Sequence, residues 1–174
     1  NNEYVPRQAP DFPKISHYLE FCRSLAAPVE EVDFACGHLK GLPLPEGAES
    51  LSGEPFVALV CGSSRPSKNW TLEGYCDLAR HLALERKLRT VIVGDRNHRQ
   101  TAAEICSQVN SSLLMNLAGQ TSLHELIAVI SRARAGIGPD SGPGHLASLF
   151  KVPYVSIFGP TSPRRVAPYG SEDL

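Results

Sequence analysis

The 174-residue sequence predicts an α/β fold, a doubly wound and mainly parallel sheet with helices on both faces. Three features point to it. Short continuous apolar runs bounded by Gly and Pro recur from residue 56 onward, as strands covered on both faces do. Segments with apolar residues at helical spacing separate them, and right-handed crossovers then make the strands parallel. The turns between strand and helix are polar and Gly-rich, and in such a sheet they gather at one edge.

Residues 1–13 are polar and broken by Pro6, Pro10 and Pro13, and form an extended lead-in. From Lys14 to Ala26, Ile15, Tyr18, Leu19, Cys22 and Leu25 recur at helical spacing until Pro28 ends the pattern. Gly37 to Pro55 carries Gly41, Pro43, Pro45, Gly47 and Gly53, which is linker composition. Residues 1–50 therefore read as the remnant of a preceding N-terminal domain plus a linker, and 51–174 as the domain itself.

In that domain Phe56 to Cys61 is the first strand. Thr71 caps a helix running to about Arg86, with Leu72, Tyr75, Leu78, Ala79, Leu82 and Ala83 inward. Thr90 to Val93 is the next strand, closed by Gly94-Asp95, and a polar helix spans about Arg99 to Val109. Ser112 to Leu117 is a weaker strand. Ser122-Leu123-His124-Glu125 is a capping box, in which the hydroxyl and the carboxylate satisfy exposed amides. Its helix turns Leu123, Leu126, Ile127 and Ile130 inward and ends near Ala133. Strand Ala135–Gly138 follows, then a Gly-rich turn, a small-residue helix from Leu146 to Phe150 and an apolar strand Val152–Phe158. The last stretch is Pro-rich, without a closing helix.

The totals exclude several classes. A net charge of −1 argues against general binding to nucleic acid or anionic membrane. No apolar run reaches a bilayer span, and the N-terminus lacks a signal-peptide layout. The cysteines at 22, 36, 61, 76 and 106 are odd in number and scattered. They read as reduced thiols of a cytosolic protein, mostly small fillers, with no metal-ligand spacing.

Four turns at the sheet edge carry the chemistry. Ser63-Ser64-Arg65-Pro66-Ser67-Lys68 offers hydroxyls and cations suited to phosphate oxygens, although it lacks the second Gly and the Ser/Thr of a Walker A loop. A solvated basic turn over a packed Trp70 is the alternative. Asp95 ends the second strand, where a carboxylate often accepts from ribose hydroxyls; a surface turn fits equally, with Arg96, His98 and Arg99 as the solvated start of a helix. Thr121 sits just before the capping box, at the edge where it can touch a ligand. Gly136-Ile137-Gly138-Pro139-Asp140-Ser141-Gly142-Pro143-Gly144-His145 opens a helix, whose outward amides and dipole favour an anion. Asp140 or Ser141 could equally cap that helix, with Pro143 in its first turn. Gly136-x-Gly138 has the wrong spacing for a dinucleotide fingerprint.

Ser63-Ser64-Arg65-x-x-Lys68-x-Trp70, Ser122-Leu123-x-Glu125-Leu126-Ile127, Asp140-Ser141-Gly142-x-x-His145-Leu146-Ala147 and Phe158-Gly159-Pro160-Thr161-Ser162-Pro163 together resemble the family 9 glycosyltransferases. The best-known members are the ADP-heptose:lipopolysaccharide heptosyltransferases. The resemblance covers roughly residues 50–170. It implies a GT-B architecture of two Rossmann-like domains facing across a cleft, of which this chain would be the C-terminal, donor-binding half. It assigns Ser63, Ser64 and Lys68 to the diphosphate loop and Asp140, Ser141, Gly142 and His145 to the donor-sugar and phosphate motif. Thr121 falls at a position lining the nucleotide pocket, and Asp95 near an acidic ribose contact across loops of different length. Arg65 joins the donor-binding set.

The implied reaction is an inverting transfer of heptose from ADP-heptose to the lipopolysaccharide inner core, without metal or cofactor. Lys68 would stabilise the leaving group. The family's general base matches nothing here, so the chain alone should bind donor without turning it over. The implied setting is the cytoplasm, at the inner face of the inner membrane, with the acceptor reached through the missing domain. Another GT-B enzyme using a UDP-sugar, such as an epimerase, and a stand-alone non-catalytic binding domain are the alternatives.

Overall fold

The computed structural model describes residues 13–24, 36–39 and 41–168. Five strands form one sheet in the order β3-β2-β1-β4-β5, and every pairing is parallel. The strands are β1 (Phe56–Val60), β2 (Arg89–Val93), β3 (Leu114–Asn116), β4 (Ala135–Pro139) and β5 (Tyr154–Ile157). The helices are α1 (Lys14–Ser24), α2 (Leu72–Arg80), α3 (Arg99–Val109), α4 (Leu123–Arg132), α5 (Gly142–Leu149) and α6 (Pro163–Val166). Leu25, Ala26 and the lead-in up to residue 12 lie outside the described residues.

β1 shows why a continuous apolar run makes a central strand. Phe56, Ala58 and Val60 join a core with Val91, Val93, Val129, Ile130 and Ala147 on the α4–α5 face. Leu59 and Cys61 join Ile92, Tyr75, Ala79 and Ile105 on the α2–α3 face. With both faces covered, alternation disappears from the sequence and every position of β1 is apolar and buried.

Packing reaches back into the Gly- and Pro-rich stretch. Ala48 and Leu51 are buried in the α4–α5 core, Arg132 donates to the carbonyl of Leu42 at 2.9 Å, and Arg89 donates to Ser50 Oγ at 2.9 Å. This part of the chain is tied to the domain by side chains.

Several details differ from the sequence reading. The helix capped by Thr71 reaches Glu85, close to the expected end at about Arg86, but its last part, His81–Glu85, is a widened π turn before the chain turns out at Lys87 (φ 54°). Leu123, expected inward, is 67% exposed, because it begins α4 beyond the point where the sheet covers the helix. The closing stretch does contain a one-turn helix, α6, with Pro163 at its first position, where its fixed φ suits a helix and no amide is wasted. Gly136 and Gly138 lie inside β4, in agreement with the strand read at Ala135–Gly138. A Cβ at either would run into Tyr154 of β5, and one at Gly144 would crowd the same ring. These glycines make room for Tyr154, whose hydroxyl is buried without a hydrogen-bond partner. Burial accordingly pushes its ionisation well above the usual tyrosine range.

Candidate functional site

Strand order reverses between β1 and β4, so the chains leaving their carboxyl ends turn to opposite faces and leave a crevice between them. A cleft of about 520 Å³ lies there. Ser63, Ser64, Arg65, Lys68, Asp95, Thr121, Asp140, Ser141, Gly142 and His145 all line it, having come from four separate strand ends.

The turn after β1 is built around Asn69. Its Oδ1 accepts from the Ser63 amide at 2.7 Å and lies 3.1 Å from Ser63 Oγ, which is itself 2.8 Å from the carbonyl of Arg65. Ser63 is buried and engaged within its own loop, whereas Ser64 and Arg65 are exposed at the cleft. A short 3-10 turn, Pro66–Lys68, then delivers Lys68 inward. Trp70, read as packed beneath this loop, is 40% exposed. It covers Gly74 and meets the ring of Tyr75 edge-on at 5.6 Å, while Thr71 caps α2 through the Gly74 amide at 3.1 Å.

The turn after β4 holds the other half. Lys68 Nζ donates to Asp140 Oδ2 at 2.6 Å and approaches the Asp140 carbonyl at 3.4 Å. Thr161, from the segment after β5, donates to the same Oδ2 at 2.9 Å. Neither residue named as a possible cap serves α5. The Asp140 carboxylate is taken by Lys68 and Thr161, and the Ser141 hydroxyl turns back to the Pro139 carbonyl at 3.1 Å. No side chain caps α5, and Pro143 stands in its first turn. The start of the helix thus opens into the cleft, where its amides and dipole favour an anion. His145 is exposed on the same side.

The turns after β2 and β3 close the remaining walls. Asp95 accepts from the Asn97 amide at 2.8 Å and so caps the following turn, with His98 Nδ1 2.8 Å away but without hydrogen-bond alignment. His98 is buried, not solvated as expected. Its ring fills the space where a Cβ on Gly62 would stand, which is why glycine follows β1 here. Cys61 lies beside it, its thiol pushed up to about 12 by burial, so it is no nucleophile near neutral pH. Thr121 is half-buried at the cleft edge. After it the capping box forms as expected: Glu125 accepts from the Ser122 amide at 2.7 Å and Ser122 Oγ from the Glu125 amide at 3.3 Å. The Ser122 amide, and after it the Ser122 hydroxyl, hold the Glu125 carboxyl below its ordinary range.

Sequence reasoning missed Thr161, His98 and Leu126 as cleft residues. Thr161 stood in a quoted motif, but nothing local ties it to Asp140. Among the described residues no group of three or more His, Cys, Asp or Glu side chains could hold a metal ion, and no helix is long and apolar enough to cross a membrane.

A cation and an open helix start facing one crevice at the switch point of a doubly wound parallel sheet are the features with which such sheets hold anionic ligands at their carboxyl edge. The family is specific: residues 7–174 match glycosyltransferase family 9 (heptosyltransferase), and the chain belongs to it. It is 31% identical over 114 residues to the lipopolysaccharide core heptosyltransferase OpsX of Haemophilus influenzae, covering 64% of this chain and 32% of that protein. It is also 31% identical over 119 residues to lipopolysaccharide heptosyltransferase 2 of Escherichia coli K12, covering 66% of this chain and 34% of that one. Among solved structures, the family 9 glycosyl transferase from Veillonella parvula superposes with a TM-score of 0.74 at 20% identity, over 96% of this chain and 50% of that chain. The E. coli heptosyltransferase WaaC with ADP superposes with a TM-score of 0.68 at 23% identity, over 88% and 46%. At these identities the structural likeness speaks for the fold. The chain spans about a third of the length of the two curated relatives.

Proposed function

We propose that this chain is the donor-binding half of a glycosyltransferase that moves heptose from ADP-heptose to the inner core of lipopolysaccharide, with inversion and without a metal. The observation that carries the reading is the meeting of Lys68 with the uncapped start of α5 in one cleft. A diphosphate seated there would place its oxygens against an ammonium and outward-pointing amides, with the Ser64 hydroxyl and Arg65 at the rim. As the glycosidic C–O bond breaks, negative charge grows on the departing phosphate, and donors already in place lower the barrier.

On this reading residues 51–174 form the nucleotide-sugar domain, and the segment before them joins it to a second domain that presents the acceptor. No residue of this chain is assigned as the general base that takes the acceptor's proton. The chain alone then binds donor without turnover. The proposed setting is the cytoplasm at the inner face of the inner membrane, where a lipid-linked acceptor is within reach. ADP is the first nucleotide to test, since the E. coli relative of the same fold was solved with it.

Calorimetry on the folded chain tests the proposal. ADP binding that UDP does not displace supports it. A folded sample with no affinity for ADP overturns it, and tighter binding of UDP moves the reading to a UDP-sugar enzyme.

A further inference from the structure

The segment Phe158–Ser162 joins β5 to α6 and brings Thr161 to the cleft. We infer that Thr161 is a positioning residue, which holds the Asp140 carboxylate so that Lys68 can lend its charge to the diphosphate; this rests on the donor reading above. Lys68 Nζ and Thr161 Oγ1 share one oxygen, Asp140 Oδ2, at 2.6 and 2.9 Å. A carboxylate only accepts, so the threonine hydroxyl is the donor in this contact. The Asp140 side chain is 6% exposed. As a phosphate draws the Lys68 ammonium toward itself, the hold of that cation on Asp140 slackens, and a buried carboxylate that loses its cation is strongly unfavourable. A charge-assisted bond from Thr161 offsets part of that loss and keeps Oδ2 in place as that hold slackens. The hydroxyl is well held for this. Threonine is stiff at χ1, and the adjoining Ser162 carbonyl accepts from the amides of Arg165 and Val166 at 3.1 and 3.2 Å.

Two measurements test it: ADP affinity, and a nucleotide-free unfolding cycle. Thr161→Val should weaken ADP binding about tenfold or more, and Thr161→Ser should restore most of it. Without ligand, Thr161→Val should raise the unfolding equilibrium constant about tenfold when Asp140 is present and less than about threefold in an Asp140→Ala background. Wild-type ADP affinity in Thr161→Val, or equal losses in the two backgrounds, overturns the role of Thr161 and leaves the donor reading intact. Absence of ADP binding by the wild type overturns the donor reading itself, and the unfolding cycle still decides whether Thr161 holds Asp140.

Discussion

The Lys68–Asp140 pair should be asymmetric, and removing the cation should destabilise the fold more than removing the anion. Asp140 is 6% exposed at its side chain and Lys68 17%. Lys68→Met leaves a buried carboxylate facing an apolar side chain. Breaking a buried pair from one side costs about 3–5 kcal/mol, and the Thr161 bond that remains on Oδ2 argues for the low end, about 3 kcal/mol. Asp140→Asn keeps a side-chain acceptor for Thr161. It leaves an ammonium that still reaches the main-chain carbonyl at position 140 and the water of the cleft, at a cost of about 1–2 kcal/mol. The double substitution should cost about 1–2 kcal/mol less than the sum, since the two side chains share one contact. Urea unfolding near neutral pH, read by far-UV circular dichroism, measures all four proteins. Thermal melts should show Lys68→Met lower by about 6–12 °C, at roughly 2–4 °C per kcal/mol for a chain of this size. If Lys68→Met unfolds within about 1 kcal/mol of the wild type, or Asp140→Asn proves the more damaging, the carboxylate is not the buried partner described above.

Two further predictions concern the walls of the cleft. Gly62→Ala drives a methyl group into the His98 ring, whereas Gly142→Ala meets open space; the first should lose about 1–3 kcal/mol in urea unfolding and the second less than about 1 kcal/mol. Equal losses at both sites would contradict the packing of His98 under Gly62. Stability should also fall in alkali. Burial holds the Cys61 thiol protonated up to about 12 in the folded protein, while an unfolded thiol ionises from about pH 8.5–9. Above that point the unfolded chain binds fewer protons, so stability declines by about 1.4 kcal/mol per pH unit for this group, or about 2 kcal/mol by pH 10.5. Tyr75 and Cys76, whose ionisations are also raised by burial, act in the same direction at their own unfolded ranges. Unfolding curves across that range should flatten in Cys61→Ala, and an unchanged slope would refute the assignment.

Much of the fold was legible because its signals are local. The apolar run of β1, the capping box at Ser122 and Glu125, and the Gly-rich turn after β4 each announce themselves within a few residues. The failures are equally physical. His98 was read as solvated because its neighbours Arg96 and Arg99 are polar and exposed; its burial depends on Gly62, on a different strand end. Leu123 fits the apolar stripe of α4, yet at the first position of the helix the sheet no longer covers it. Asp140 and Ser141 are good capping residues, but a charge-assisted bond from the Lys68 ammonium takes the Asp140 carboxylate, and the Ser141 hydroxyl donates back to the Pro139 carbonyl.

Fold class, family and the chemical character of each turn follow from the order of residues alone, because periodicity, apolar runs and motif spacing are properties of neighbours in the chain. Which turns meet is settled in three dimensions. The reversal of strand order between β1 and β4 brings Lys68 to Asp140, 72 residues away in the chain, and adds Thr161 from beyond β5. It also leaves the start of α5 uncapped. The reason is that a carboxylate is claimed by whichever donors the fold brings within reach, and no local pattern records which these will be.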